Sequence, residues 1–273
     1  MPPVRMSDER KFLDGLKKLF QGIINDAKRG LSFDKKAQAF LESDEVDSYL
    51  RKLVTKMTKN LRVKSAASWR EAASKGTNGR MIYNLMKNEM NGPVGARIWE
   101  IIENNVSYIK TLPLEWANYA SNYAARETFR GKRPEAVEAA LRKVIPEHMA
   151  KNLKCIARTE CAKANAAIVQ ARAEMCGIQC YFWRCVMDNR SRDSHMHMDK
   201  VLVFYDDPPS PEALIGKTSY GEYHAGNTFN CRCYQEVVVD VRFLPDTFKY
   251  YHFGTIQTTT RNAFLKKFGN VAG

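Results

Sequence analysis

From residue 8 to about residue 146 the apolar positions recur every three to four residues, the spacing of one face of a helix. In DERKFLDGLKKLFQGIINDAKRG, Phe12, Leu16, Leu19/Phe20 and Ile23/Ile24 share one stripe, and Gly30 closes it. SDEVDSYLRKLVTKMTKNL starts at a capping residue, Ser43, with acids in its first turn, where the helix dipole favours them. NGR at 78–80 and NGPVG at 91–95 read as turns. VGARIWEIIENNVSYIKTLP predicts another amphipathic helix closed by Pro113, and the residues from 112 to 149 predict two more around a turn at Gly131–Pro134. No segment repeats at the 20–50-residue period of a solenoid.

The strongest helical pattern is 147–177, with Met149, Leu153, Ile156, Glu160, Ala164, Ala167/Ile168, Ala171 and Met175 on one stripe and Gly177 as its stop. Glu160 is out of character there, and an unpaired buried carboxylate is too costly to keep. It either reaches water at the edge of the stripe or pairs with Arg190 or Arg192. After Gly177 the period changes. CYFWRCVMD (180–188), KVLVFYD (200–206) and CYQEVVVDVRFL (233–244) are rich in β-branched and aromatic residues and predict strands. A Pro/Gly/Ser-rich loop separates the second from the third. The fold class is therefore α+β, a mostly helical N-terminal half followed by a long helix packed on a small, mainly antiparallel sheet. The segment TIQTTTRNAFLKKFG near the C-terminus reads as a short strand or helix that either frays or docks on a partner.

Composition narrows the class. With 44% hydrophobic and 27% charged residues in 273, the chain is a folded globular protein and not a disordered one. It has no apolar run long enough for a membrane helix, and its N-terminus lacks the pattern of a secretory signal, so the expectation is a protein at work in a reducing compartment. The net charge of +13 is spread along the chain with a slight lean toward the N-terminus, which suits diffuse, salt-sensitive attraction to polyanions and not base readout. Of the seven cysteines, Cys155, Cys161, Cys176, Cys180 and Cys185 read as small buried hydrophobes. Only Cys231 and Cys233 have a spacing that invites chemistry.

Three motifs stand in order: Arg158-Thr159-Glu160 with Asn165 on the long helix; Trp183, then Asp188, Arg190, Ser191, Arg192 and His195; and Asn230-Cys231-Arg232-Cys233. Over roughly residues 110–240 this order resembles the phage Mu protein F-like family of head-morphogenesis, or minor capsid, proteins. The resemblance suggests a helical arm over 1–110, the α+β domain over 111–244 and a C-terminal tail over 245–273. Where the family has an Asp-Gly pair, this chain has Asp199-Lys200, so the glycine's turn is expected to be made differently. Some relatives place cysteines at the positions of Arg192 and His195, which would complete a zinc site with the later C-x-C.

Two readings of the motifs follow. In the favoured one they form a structural polar clamp of Arg158, Glu160, Asp188, Arg190, Arg192, His195, Asn230 and Arg232, with no cofactor. Arginine suits this role because its planar fork satisfies two acceptors at once. In the other, His195, Cys231 and Cys233 hold a structural zinc, with His197, Asp199 or His224 as fourth ligand. A Cys–His nucleophile pair is conceivable, but the chain has no nucleotide-binding glycine loop and no nucleophile signature, so no catalytic residue is assigned.

The resemblance implies a non-enzymatic assembly factor of a tailed phage or prophage, located in the capsid interior and in the host cytoplasm during assembly. Its implied partners are the portal protein, scaffold or major capsid protein, with non-specific DNA contact as a secondary property and no membrane association. The alternatives are a zinc-stabilised non-specific DNA-binding module acting in packaging or ejection, and an ADP-ribosyltransferase-like enzyme. The enzyme would bind NAD and lose it on Arg158→Ala or Glu160→Ala.

Overall fold

The computed structural model describes residues 3–76 and 78–272. Its helices are α1 (Met6–Arg29), α2 (Asp34–Glu42), α3 (Asp44–Lys75), α4 (Gly79–Lys87), α5 (Pro93–Phe129), α6 (Pro134–Met175), α7 (Asp193–His197) and α8 (Arg261–Phe268). The strands are β1 (Cys180–Arg184), β2 (Val201–Phe204), β3 (Tyr234–Val237), β4 (Thr247–His252) and β5 (Thr255–Thr260). By contacts the chain divides into two units, one of residues 6–57 and 101–158, the other of 1–5, 58–100 and 159–273. Each unit draws on separated stretches of chain, so the boundaries do not follow a cut at residue 110. The three longest helices each contribute residues to both units.

The first unit is helical. Phe12, Leu16, Phe20 and Ile23 of α1 are buried, as the stripe read from the sequence has it, and Ala27 extends that face. Phe20 stacks on Phe40 and meets Trp116 edge-on, each at 5.0 Å between ring centroids. Trp116 Nε1 donates to Asn152 Oδ1 at 3.2 Å, which satisfies its one polar atom. Two expected breaks are absent. α5 runs through Pro113 and α6 through Pro146. An internal proline costs a helix about 3 kcal/mol. Here the apolar stripe continues across each one, with Ile109, Leu112 and Trp116 buried around the first and Ile145 and Met149 around the second. At roughly 1.5–3 kcal/mol per buried large side chain, that burial wins. The Gly131–Pro134 turn is where the sequence places it, but the helix after it does not stop at residue 146; it merges with the 147–177 stripe into α6.

The second unit carries the sheet, in the order β3-β1-β2-β4-β5. All neighbours are antiparallel except β2 and β4, which pair Val201 with Lys249 and Leu202 with Tyr250 in parallel. The pleat sends alternate residues to two cores. Tyr181, Trp183, Val201 and Val203 pack with Trp69, Ile82, Met86, Val169 and Ala173 of the helices. Cys180, Leu202 and Phe204 face the other way, against Phe248, Tyr250, Phe264 and Val271. A strand covered on both faces reads as an unbroken apolar run, as VLVF does. Residues 245–273 are therefore not a fraying tail among the described residues. They supply β4, β5 and α8, and Val271 O accepts the N–H of Gln179 at 2.9 Å.

Within the same unit a buried ionic network joins α3, α6 and the short helical turn that begins at Glu89. Arg172 on α6, fully buried, donates through Nε to Glu89 Oε2 at 2.7 Å and through Nη2 to Glu89 Oε1 at 3.1 Å and Arg62 O at 2.9 Å. It also bonds Ser65 Oγ, and Arg62 donates to Glu89 at 2.7 Å.

Candidate functional site

The site is built where β1 ends, where β3 begins and along α7. Beyond Arg184 the chain turns away through Cys185 to Asp188, whose Oδ1 accepts the N–H of Arg190 at 3.1 Å and the hydroxyl of Ser191 at 3.2 Å. The guanidinium of Arg232 grips both Asp188 oxygens. That grip holds the Asp188 carboxyl well below the usual carboxylate range. Arg192 donates to Phe229 O at 2.9 Å and lies over the Phe229 ring at 4.2 Å. Arg190 is exposed and reaches only Asp188, at 3.6 Å. The pairing of Glu160 with Arg190 or Arg192 is therefore not formed. Glu160 meets Lys163, one turn along its own helix, at 3.5 Å, and Arg158 meets Glu9 at 3.4 Å. The reason is reach: Arg192 is already committed to the 229 carbonyl and ring.

It is Thr159, between these two, that ties the helix to the cysteine motif. Its Oγ1 accepts the N–H of Asn230 at 2.8 Å. Asn230 sits at φ 55°, a left-handed conformation that asparagine tolerates better than most residues. The alanines of α6 serve the same junction. Gly226, at φ +92°, lies where an added Cβ would come within 3.2 Å of Ala166 Cβ and 3.3 Å of Cys233 O. Gly226→Ala is expected to destabilise the protein by about 1–3 kcal/mol in urea unfolding, through strain and crowding together.

The turn before β2 differs from expectation. Lys200 occupies φ 63°, so a lysine takes the left-handed conformation for which a glycine is suited, and its N–H donates to Trp183 O at 2.8 Å. Holding a lysine there costs about 1–3 kcal/mol, partly offset by the unfolded-state freedom that a glycine would add. Lys200→Gly is expected to raise the thermal midpoint, and a lower midpoint would mean that the lysine side chain carries an interaction of its own.

At the centre His195, Cys231 and Cys233 are buried with their ligand atoms all within 4.8 Å of one another. His195 Nδ1 is 3.6 Å from Cys231 Sγ and 3.4 Å from Cys233 Sγ. The N–H of Cys233 donates to Cys231 Sγ at 3.3 Å. On the far side of the ring, Tyr223 Oη is 3.0 Å from Nε2 and 2.7 and 2.8 Å from the two oxygens of buried Glu212. Trp183 meets the imidazole edge-on at 5.6 Å.

The fourth ligand candidates lie elsewhere. His197 is exposed on α7, Asp199 Oδ1 accepts the N–H of Cys185 at 2.9 Å, and His224 is held by the Tyr181 hydroxyl at 3.1 Å. Burial pushes the His224 pKa down to about 4, so it is neutral at physiological pH. The residue that the sequence reading missed is Cys185. Half-buried, it lines the same cavity of about 60 Å³ as His195, Cys231 and Cys233. The neighbouring Cys233 thiol outweighs burial and brings the Cys185 thiol down to about 6. Nothing in its sequence position set it apart from the other apolar-segment cysteines; only the turn after β1 brings it back to the C-x-C.

Comparisons with known proteins bear on the whole constellation. The chain is 29% identical over 147 residues to an uncharacterized protein of Haemophilus influenzae, covering 54% of this chain and 30% of that protein. The chain thus spans under a third of that relative's length. No solved structure matches it. A family model described as phage Mu protein F like protein matches residues 122–236, a span that takes in all of α6, the three motifs, Cys185 and most of β3. Over residues 122–236 the chain is therefore similar to the phage Mu protein F-like family.

Proposed function

We propose that the protein is a minor head-assembly protein of a tailed phage or prophage, acting in the procapsid interior and near the portal. The observation that carries this reading is the family match over 122–236, which contains all three motifs in order. The site is consistent with a structural role. Its cavity of about 60 Å³ is far below the roughly 300 Å³ at which small-molecule sites begin. Arg158 and Glu160, which an ADP-ribosyltransferase-like reading needs at an active site, are engaged with Glu9 and Lys163 instead. Among the described residues no helix is long and apolar enough to cross a membrane. The charge of +13 suits contact with packaged DNA without sequence readout.

The test is genetic and structural together. The gene is deleted from the phage or prophage that carries it, and heads are counted and imaged after induction. The expected result is fewer or misshapen DNA-filled heads, restored by the wild-type gene, with the protein recovered in purified procapsids. Normal yield and infectivity without it would sink the proposal.

A further inference from the structure

We propose that the cavity between β1, α7 and β3 is a zinc site with four protein ligands: Cys185 Sγ, His195 Nδ1, Cys231 Sγ and Cys233 Sγ. Three of the ligand atoms already converge within 4.8 Å, and Cys185 lines the same small cavity. Three soft sulfurs and one imidazole match the Cys₃His set of closed, tetrahedral structural zinc sites. The cavity is of a size for an ion and not for an organic ligand.

The surroundings prepare the donors. Tyr223 has one hydroxyl proton and faces both oxygens of Glu212 at 2.7 and 2.8 Å, so it donates there and accepts from His195 Nε2–H at 3.0 Å. The neutral ring therefore carries its lone pair on Nδ1, the nitrogen that faces the thiols. A Glu–Tyr–His relay of this kind does what outer-shell partners do in metal sites, fixing the tautomer and the plane of the ring. The backbone N–H of Cys233 points at Cys231 Sγ, a contact that favours thiolate. The Cys185 backbone is itself anchored, through its N–H, to Asp199. On loading, the three thiols release their protons and zinc with three thiolates carries a net −1. Arg192 lines the same cavity and balances that charge, while Arg232 beside it is already paired with Asp188.

The site does not depend on the head-assembly reading, and its test leaves that reading untouched. The full chain is purified under reductant, without chelator or nickel, and its metal is counted by mass spectrometry. Apo protein is then titrated with Co²⁺, whose thiolate charge-transfer band reports the number of sulfur ligands against Cys₂His₂ and Cys₃His reference peptides. Expected are about one zinc per chain and a three-thiolate band. In Cys185→Ser the band should lose about a third of its intensity and zinc affinity should fall by more than about 100-fold, beyond what outer-shell changes cause. Cys155→Ser should change neither. No metal in the folded wild-type chain, or a two-thiolate band in the wild type, would overturn the proposal even if Cys185→Ser failed to fold. So would a Cys185→Ser variant that binds zinc and cobalt as the wild type does.

Discussion

Arg172→Ala is expected to lower the stability of the sheet-bearing unit by about 3–5 kcal/mol, enough to unfold a unit of ordinary stability. The side chain is fully buried and makes four hydrogen-bonded contacts, two of them to a carboxylate that is itself 3% exposed. Removing it leaves Glu89 buried with only Arg62 for company, together with the orphaned Ser65 hydroxyl and the Arg62 carbonyl. The double variant Arg172→Met/Glu89→Gln removes both charges and should cost much less than the sum of the single changes, as coupled groups do. Urea unfolding followed by circular dichroism checks both, and additive losses would show that the network is not a unit. The pH dependence follows from Glu89. Burial pushes its pKa up, but the hydrogen bonds and charges of Arg172 and then Arg62 overcome this and hold it below its ordinary 4.5. A depressed folded-state pKa stabilises the protein above the unfolded-state value. The contribution is therefore complete above about pH 5 and drains away as the pH falls through 4.5 toward the lower folded-state value.

Trp183→Ala should be nearly as damaging, by about 3–5 kcal/mol, because a fully buried indole leaves a cavity under β1 that the sheet cannot close. Trp183→Phe should cost far less than its lost volume suggests. The indole Nε1–H is buried with no hydrogen-bond partner, a defect of about 1–3 kcal/mol that phenylalanine does not carry. Thermal unfolding of the two variants side by side decides the matter, and a Trp183→Phe loss as large as that of alanine would mean that the N–H is satisfied in solution. Both changes bear on the cluster as well, because the indole edge sets one wall against the His195 ring.

What the sequence disclosed depended on the range of the interaction. The α1 stripe and the strand segments follow from local patterns, so Phe12 to Ile23 were legible as one buried face and residues 180–188 as a strand. Pro113 and Pro146 misled because the local rule yields to burial of residues one turn away on each side. β4 went unread because it is placed by pairing with β2 across more than 40 residues of intervening chain, which no local pattern encodes, whereas β5, read as a short strand or helix, pairs with β4 in a local hairpin. At the site, Asp188, His195 and the C-x-C stood out by residue type. Most of their partners did not: Glu212, Tyr223 and Cys185 are ordinary residues made specific by the fold, and Thr159 stood in a motif without a role assigned to it.

The C-terminal end of the sheet sets the order in which the chain can assemble. Val271 and Ala272 are buried against the face of β1 and β2, and the same unit includes residues from 58 onward. During synthesis the segment 58–100 must therefore wait, its apolar side chains unburied, until some 170 further residues have been made. The helical unit is complete by residue 158 and has no such delay. A nascent chain should thus carry one folded unit and one exposed one, which makes the sheet-bearing unit the part that calls for chaperones and the part lost first when translation stops early.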